Sequence, residues 1–243
     1  FLGIDNRNNK KENVVVVPFG LEKTVSYGGG TKNGPKEIIK ASHQVELFDE
    51  DLQKEPYKYI GIKTLQPFPI KKKITEALKQ IENINKIILN DNKFPLVLGG
   101  EHSLTPGAIR PFIKKFGKIC LLHFDAHADL RQSYNGNKFS HASAIRRCLD
   151  NHNVSVVSFG IRNISSSEIS FLNKNKKIDV IEKKEKTVIS KCHCGSVELE
   201  LYLPNGFEKL RRCNCSICRR KGSIVASVLL DNLSILKGVE NIG

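Results

Sequence analysis

Residues 123–129 read His-Phe-Asp-Ala-His-Ala-Asp, and their types and spacing could do chemistry. Asp125, His127 and Asp129 sit two apart. In an extended strand such residues point to one side. Two carboxylates and an imidazole on one side are suitable ligands for a divalent metal that takes oxygen and nitrogen. Gly99-Gly100-Glu101-His102-Ser103 adds a second imidazole after another apolar run. Alone, His102 reads as a partly buried histidine. Beside Asp125, His127 and Asp129 it reads as a further ligand. His43 and His152 have no such context.

A second group lies in the last quarter. Cys192-x-Cys194 is followed by Cys213-x-Cys215-x-x-Cys218, while Cys120 and Cys148 stand apart. Clustered thiolates in a chain with no visible secretory signal point to zinc rather than to a disulfide framework. A structural zinc knuckle and a nucleic-acid-binding ribbon are both open readings, the latter because of Arg211, Arg212, Arg219 and Arg220. A ribbon usually pairs two Cys-x-x-Cys units, and this sequence has one.

Elements must hold these groups in place. Val14–Val17, Phe94–Leu98, Ile119–Phe124 and Val154–Phe159 are apolar runs of buried-strand type. Val45–Phe48 reads as a further short strand. Helical spacing joins Ile70, Ile74, Leu78, Ile81, Ile84 and Ile88. Shorter helices are expected at 34–39, 104–116 and 142–149. Alternating strands and helices predict a parallel sheet with helices on both faces, its site at the strands' C-terminal ends. The alternation stops near Lys177, a charged junction follows at 181–187, and short strands at 197–203 and 224–230 flank Cys-rich turns. The expected organisation is a three-layer α/β domain over 1–180 and a small, mainly-β zinc-binding domain over 188–243; the resemblances given below imply that both are incomplete.

The 243 residues are 40% hydrophobic and 26% charged, as in soluble globular proteins. No apolar run is long enough to span a bilayer. The formal net charge is +14, but the basic residues are scattered and form no stripe for nucleic acid. Neither nucleic acid nor membrane is an expected partner, and the expected location is cytoplasmic. The chain starts at Phe1 and contains no methionine, which reads as a piece of a longer frame.

Residues 1–178 resemble the ureohydrolase family of arginases and agmatinases. The resemblance is carried by Gly30-Thr31 with Gly34-Pro35, by residues 99–103 and 123–129, by Ser140-His141 and by Phe159-Gly160-Ile161-Arg162. Asp129-Leu130-Arg131, Tyr134, Gly136 and Arg146-Arg147 look most like the agmatinase branch. The resemblance implies two Mn²⁺ ions, with His102 and Asp129 on the first, His127 on the second, and Asp125 bridging. It implies His141 as general acid/base, a small guanidino substrate split into urea and an amine, and a homo-oligomer. It leaves His123 to packing. The family's later Asp-x-Asp-x-x-Asp-Pro segment, which completes the cage, has no counterpart here, so only part of the cage is expected.

Residues 187–243 resemble the glutathione-dependent formaldehyde-activating (GFA-like) family, to which centromere protein V is related. Cys-His-Cys-Gly-Ser-Val and Cys-Asn-Cys-Ser-Ile-Cys-Arg-Arg-Lys-Gly carry the likeness. It implies Zn²⁺ on Cys213, Cys215 and Cys218, half a structural site at Cys192 and Cys194, and carbon–sulfur lyase-type activity on glutathione adducts. Three functions are thus expected in order: amidinohydrolase, zinc protein with an inert first part, and rearranged product without a working site.

Overall fold

The computed structural model describes residues 1–4, 12–181, 186–191, 198–203, 211–212, 224–225 and 233–237. The chain divides into two units, Phe1–Val180 and Ile181–Gly243.

In the first unit, strand β1 (Val14–Phe19) is followed by helix α1 (Gly34–Ala41), β2 (Ile62–Thr64), α2 (Ile74–Asn90), β3 (Phe94–Gly99) and α3 (Thr105–Phe116). Then come β4 (Ile119–Phe124), α4 (Ala144–Leu149), β5 (Val154–Phe159), α5 (Ser166–Lys174) and β6 (Ile178–Ile181). β1 runs parallel to both β2 and β3, and β4 runs parallel to β5. The expectation of a parallel α/β fold holds, but the strands form two sheets of three, ordered β2-β1-β3 and β4-β5-β6. Among the described residues, β3 and β4 each have one hydrogen-bonded neighbour.

Each sheet has its own core. Val15, Val17 and Phe19 of β1 pack with Ala77, Ile81 and Ile88 of α2 and with Leu104 and Ala108. Val154 and Val156 of β5 pack with Ile145, Cys148 and Leu149 of α4 and Ile113 of α3. Helix α3 therefore serves both cores, its first turns in one and its last in the other. Burying one such aliphatic side chain stabilises by about 1.5–3 kcal/mol. Polar groups fasten α2 to α3. Asn85 donates to the Ala108 carbonyl at 3.0 Å, and the buried Glu82 carboxylate takes Lys114 at 2.8 Å.

Three expectations are corrected. Residues 45–48 form no strand. Val45 and Phe48 are 51% and 55% exposed, and only an isolated bridge joins Asp49 to Lys54. Helix α2 starts at Ile74, not Ile70; the Gln80 side chain accepts the Lys71 N–H through Oε1 and donates through Nε2 to the Pro69 carbonyl, which holds that segment off the helix. The alternation also runs on past Lys177 into β6.

In the second unit, β7 (Lys186–Lys191), β8 (Glu198–Leu203) and β11 (Leu233–Lys237) make an antiparallel sheet of order β11-β8-β7. β9 (Arg211–Arg212) pairs antiparallel with β10 (Ile224–Val225). Cys192, Cys194, Cys213, Cys215 and Cys218 lie outside the described residues. No described helix is long and apolar enough to cross a membrane.

Candidate metal centre

Two strand ends bring the site together. β3 runs into Gly99-Gly100, where the chain crosses the exit of β1. Gly100 donates to the Phe19 carbonyl at 3.1 Å and Glu101 donates to the Leu21 carbonyl at 2.8 Å. A side chain at Gly100 would put its Cβ 2.1 Å from the Leu21 oxygen, so only glycine allows this approach. The next residue but one, His102, opens a single 3₁₀ turn at the C-terminal end of β3. From the other sheet, β4 delivers His123 on its last turn of pleat and Asp125 just beyond it.

The strand ends at Phe124, so alternation does not align Asp125, His127 and Asp129 as expected. A loop does the work instead. Asp125 Oδ1 accepts the His127 N–H at 2.8 Å. Asp129 takes a left-handed backbone, φ 53°, which aspartate tolerates better than most residues. That turn sends its carboxylate to His102, with Nδ1 and Oδ2 2.7 Å apart.

His102, His123, Asp125 and Asp129 each offer a ligand atom, and these atoms lie within 4.8 Å of one another. Ligands at ~2.1 Å from a small divalent ion stand at most ~4.2 Å apart, so modest contraction would close the set on one ion. The state of His123 supports the fit. Its Nδ1 contacts Ser158 Oγ at 3.0 Å, while its Nε2 is buried without a hydrogen-bond partner, 3.8 Å from Asp125 Oδ2. Burial, reinforced by the neighbouring His102, pushes its imidazole below the usual histidine range, towards the neutral form that donates a lone pair. For Asp125, burial alone would raise the carboxyl, but the His127 N–H and the nearby imidazoles outweigh it and hold it low. Two nitrogens and two carboxylates suit a borderline-to-hard cation such as manganese or zinc.

The residues expected to bind metal are therefore split. His102, Asp125 and Asp129 converge. His127 stands on the rim, 64% exposed, with Nδ1 3.4 Å from Asp125 Oδ1. The Asp125 carboxylate thus faces His102 and His123 with one oxygen and His127 with the other. His123, read from sequence as packing, is the fourth member of the cluster.

All these groups except His123 line one open cleft of about 700 Å³, which His141, Arg131, Tyr134, Asn163 and Glu168 also line. Arg131 covers the Tyr134 ring at 4.9 Å, and Tyr134 meets the His141 ring edge-on. His141 heads a 3₁₀ turn before α4, where its N–H and Nδ1 meet Thr24 Oγ1. The sequence reading missed Thr24, Glu101, Asn163 and Glu168. Glu101 stood in plain view between Gly100 and His102. Ser165-x-x-Glu168 is a capping-box signature, and both of its reciprocal bonds form.

A parallel α/β protein with a His/Asp cluster fit for a cation at its strand ends is the class that fold and cluster define. The Arginase family model matches residues 12–191, and the chain belongs to that family. It is 33% identical over 165 residues to an agmatinase of Bacillus cereus, covering 67% of this chain and 56% of that protein. It is 33% identical over 147 residues to an N(1)-aminopropylagmatine ureohydrolase of Synechocystis, covering 56% of this chain and 47% of that protein. The agmatine ureohydrolase structure of Thermoplasma volcanium superposes with a TM-score of 0.59 at 30% identity, covering 70% of this chain and 57% of that one. The chain thus spans about half the length of the curated relatives it matches.

Proposed function

We propose that the first unit carries the metal-binding part of an agmatinase-type amidinohydrolase site, which releases urea and an amine from a small guanidino substrate. The observation that carries this reading is the four-donor cluster of His102, His123, Asp125 and Asp129 in a chain of the arginase family. A guanidinium carbon is a poor electrophile, and bound Mn²⁺ would supply water acidified enough to attack it. His102, His123, Asp125 and Asp129 would hold the first ion, and His127 with the outer oxygen of Asp125 would begin a second position. His141, in the same cleft, would hand a proton to the leaving amine nitrogen. Arg131 stacked on Tyr134 would shape the far wall.

Urea release from agmatine by the folded chain with added Mn²⁺ tests the reading. No release, with manganese bound and the fold intact, would refute it.

A second reading concerns the tail. The spacing of Cys192, Cys194, Cys213, Cys215 and Cys218 supports a zinc site of the GFA-like kind. Elemental analysis should then find zinc that Cys213→Ser, Cys215→Ser and Cys218→Ser together remove.

A further inference from the structure

Glu101 is buried, and its carboxylate is saturated by four donors. Oε2 accepts the N–H groups of Lys23 and Thr24, at 2.9 and 2.7 Å. Oε1 accepts the hydroxyls of Thr24 and Ser103, at 3.1 and 2.6 Å. A carboxylate can only accept, so the single hydroxyl proton of Thr24 is committed to Glu101. The lone pairs of that oxygen then face His141. One takes the His141 backbone N–H at 3.0 Å. The other lies 3.3 Å from His141 Nδ1.

This sets the preference of the imidazole. If Nδ1 were bare, its lone pair would oppose one on Thr24 Oγ1 across 3.3 Å, and only Ser140 Oγ, at the longer 3.4 Å, could donate to it. If Nδ1 carries the proton, Thr24 Oγ1 accepts it, and Ser140 Oγ, 3.4 Å away, shares it. Nε2, which no described hydrogen bond occupies, is then the nitrogen with the free lone pair. We propose that Thr24, anchored by Glu101, is a positioning residue that holds His141 in the Nδ1–H tautomer and so reserves Nε2 for proton transfer in the cleft. The inference rests on His141 being the proton-transfer group of the proposed hydrolase, but its geometry stands independently of turnover.

A decisive variant is Glu101→Gln. Its amide oxygen must stay with the two backbone N–H groups, which turns the amide NH₂ towards the hydroxyls of Thr24 and Ser103. Thr24 Oγ1 must then accept from the amide, and its own proton is released to Nδ1. The tautomer should reverse, with the shape of the site unchanged. The measurement is the ¹⁵N shift pair of His141 in the metal-free full chain, above the range where imidazole titrates, assigned by the loss of its signals in His141→Asn. The wild type and Thr24→Ser should show a protonated Nδ1 and a bare Nε2. Glu101→Gln should show the opposite pattern, and Thr24→Val should move towards the Nε2–H form that free imidazole side chains prefer. A bare Nδ1 in the wild type, or no change in Glu101→Gln whose spectrum is otherwise native, overturns the proposal. If urea release fails while the tautomers behave as stated, the hydrolase reading falls and the proton-transfer role with it, while the tautomer lock by Thr24 and Glu101 stands. If urea is released, Thr24→Val should lower kcat at least tenfold with KM little changed, and an unchanged kcat would overturn the positioning role.

Discussion

His123→Phe separates a histidine that only packs from one that binds metal. The ring is 5% exposed and stacks on His102 with centroids 5.4 Å apart, so phenylalanine fits the same slot. Without metal the change removes a buried orphan nitrogen, Nε2, and also strands the Ser158 hydroxyl that met Nδ1. Each unsatisfied buried group costs about 1–3 kcal/mol, so the two effects offset and the metal-free melting temperature should move little. With metal the variants part. Losing even a supporting contact to a metal weakens binding by about 10–100-fold, and losing a ligand sits at the upper end. At a Mn²⁺ concentration of ~100 Kd the wild type gains ~2.7 kcal/mol from binding, whereas a 100-fold weaker variant gains ~0.4 kcal/mol at the same concentration. For a unit of this size that is a metal-induced rise in Tm of roughly 5–11 °C against about 1 °C. The assay is a pair of thermal melts with and without Mn²⁺, backed by titration calorimetry. An unchanged metal-induced shift in His123→Phe would show that the imidazole only packs, and the four-donor reading would be wrong.

Other changes test the frame that carries the centre. Gly107→Ala would place a Cβ 2.5 Å from the Leu78 carbonyl oxygen where α3 crosses α2, and the overpacking should destabilise by about 1–3 kcal/mol in a chemical melt; wild-type stability would contradict this close approach. For Glu82, burial pulls the carboxyl up, but Lys114 and Lys79 outweigh it and hold the pKa below its ordinary 4.5. Its contribution is therefore fully present above pH 4.5 and is lost as pH falls below that value, so the wild type should lose more Tm than Glu82→Gln between pH 5 and pH 3; parallel losses would refute it. Cys148 is buried and its thiol is pushed up to about 12, while Cys120 is exposed. A thiol reagent at pH 8 should label Cys120 quickly and Cys148 only on unfolding, which peptide mapping would read; early labelling of Cys148 would show an open core.

How far the sequence carried differs by element. The four long runs of β1, β3, β4 and β5 were legible because each is a continuous apolar stretch in the sequence, although β1 alone is buried almost throughout and β3 and β4 expose Phe94, Leu122 and Phe124. β2 was not, since Ile62 is the one buried apolar residue among its three. Val45–Phe48 showed the opposite: apolar residues that face solvent have the composition of a strand without its partner. The site was legible in its residue types and misread in its geometry. Asp125 and Asp129 do meet, but through a left-handed turn at Asp129 that no period-two pattern encodes. His123 shares the parity of the ligands and was left to packing because the resembled family does not use it as one; its orphaned nitrogen is visible only once Ser158 and His102 are in place.

The break between the sheets gives the cluster a second role. β3 and β4 share no ladder among the described residues, and their sides carry exposed apolar groups, Phe94 at 55%, Leu122 at 59% and Phe124 at 73%. The break is spanned by α3, which packs into both cores, and by contacts that include His102–Asp129 at 2.7 Å, the His102–His123 ring stack and the His141 N–H to Thr24 Oγ1 at 3.0 Å. His102 belongs to the β3 side; His123, Asp125 and Asp129 belong to the β4 side. An ion held by all four would tie the two halves together at the end where their strands release the chain. A ligand that binds only the folded arrangement adds its binding energy to folding. Metal affinity and the cohesion of the first unit would then be linked, and a change that loosens α3 should weaken metal binding even though α3 offers none of the four donors.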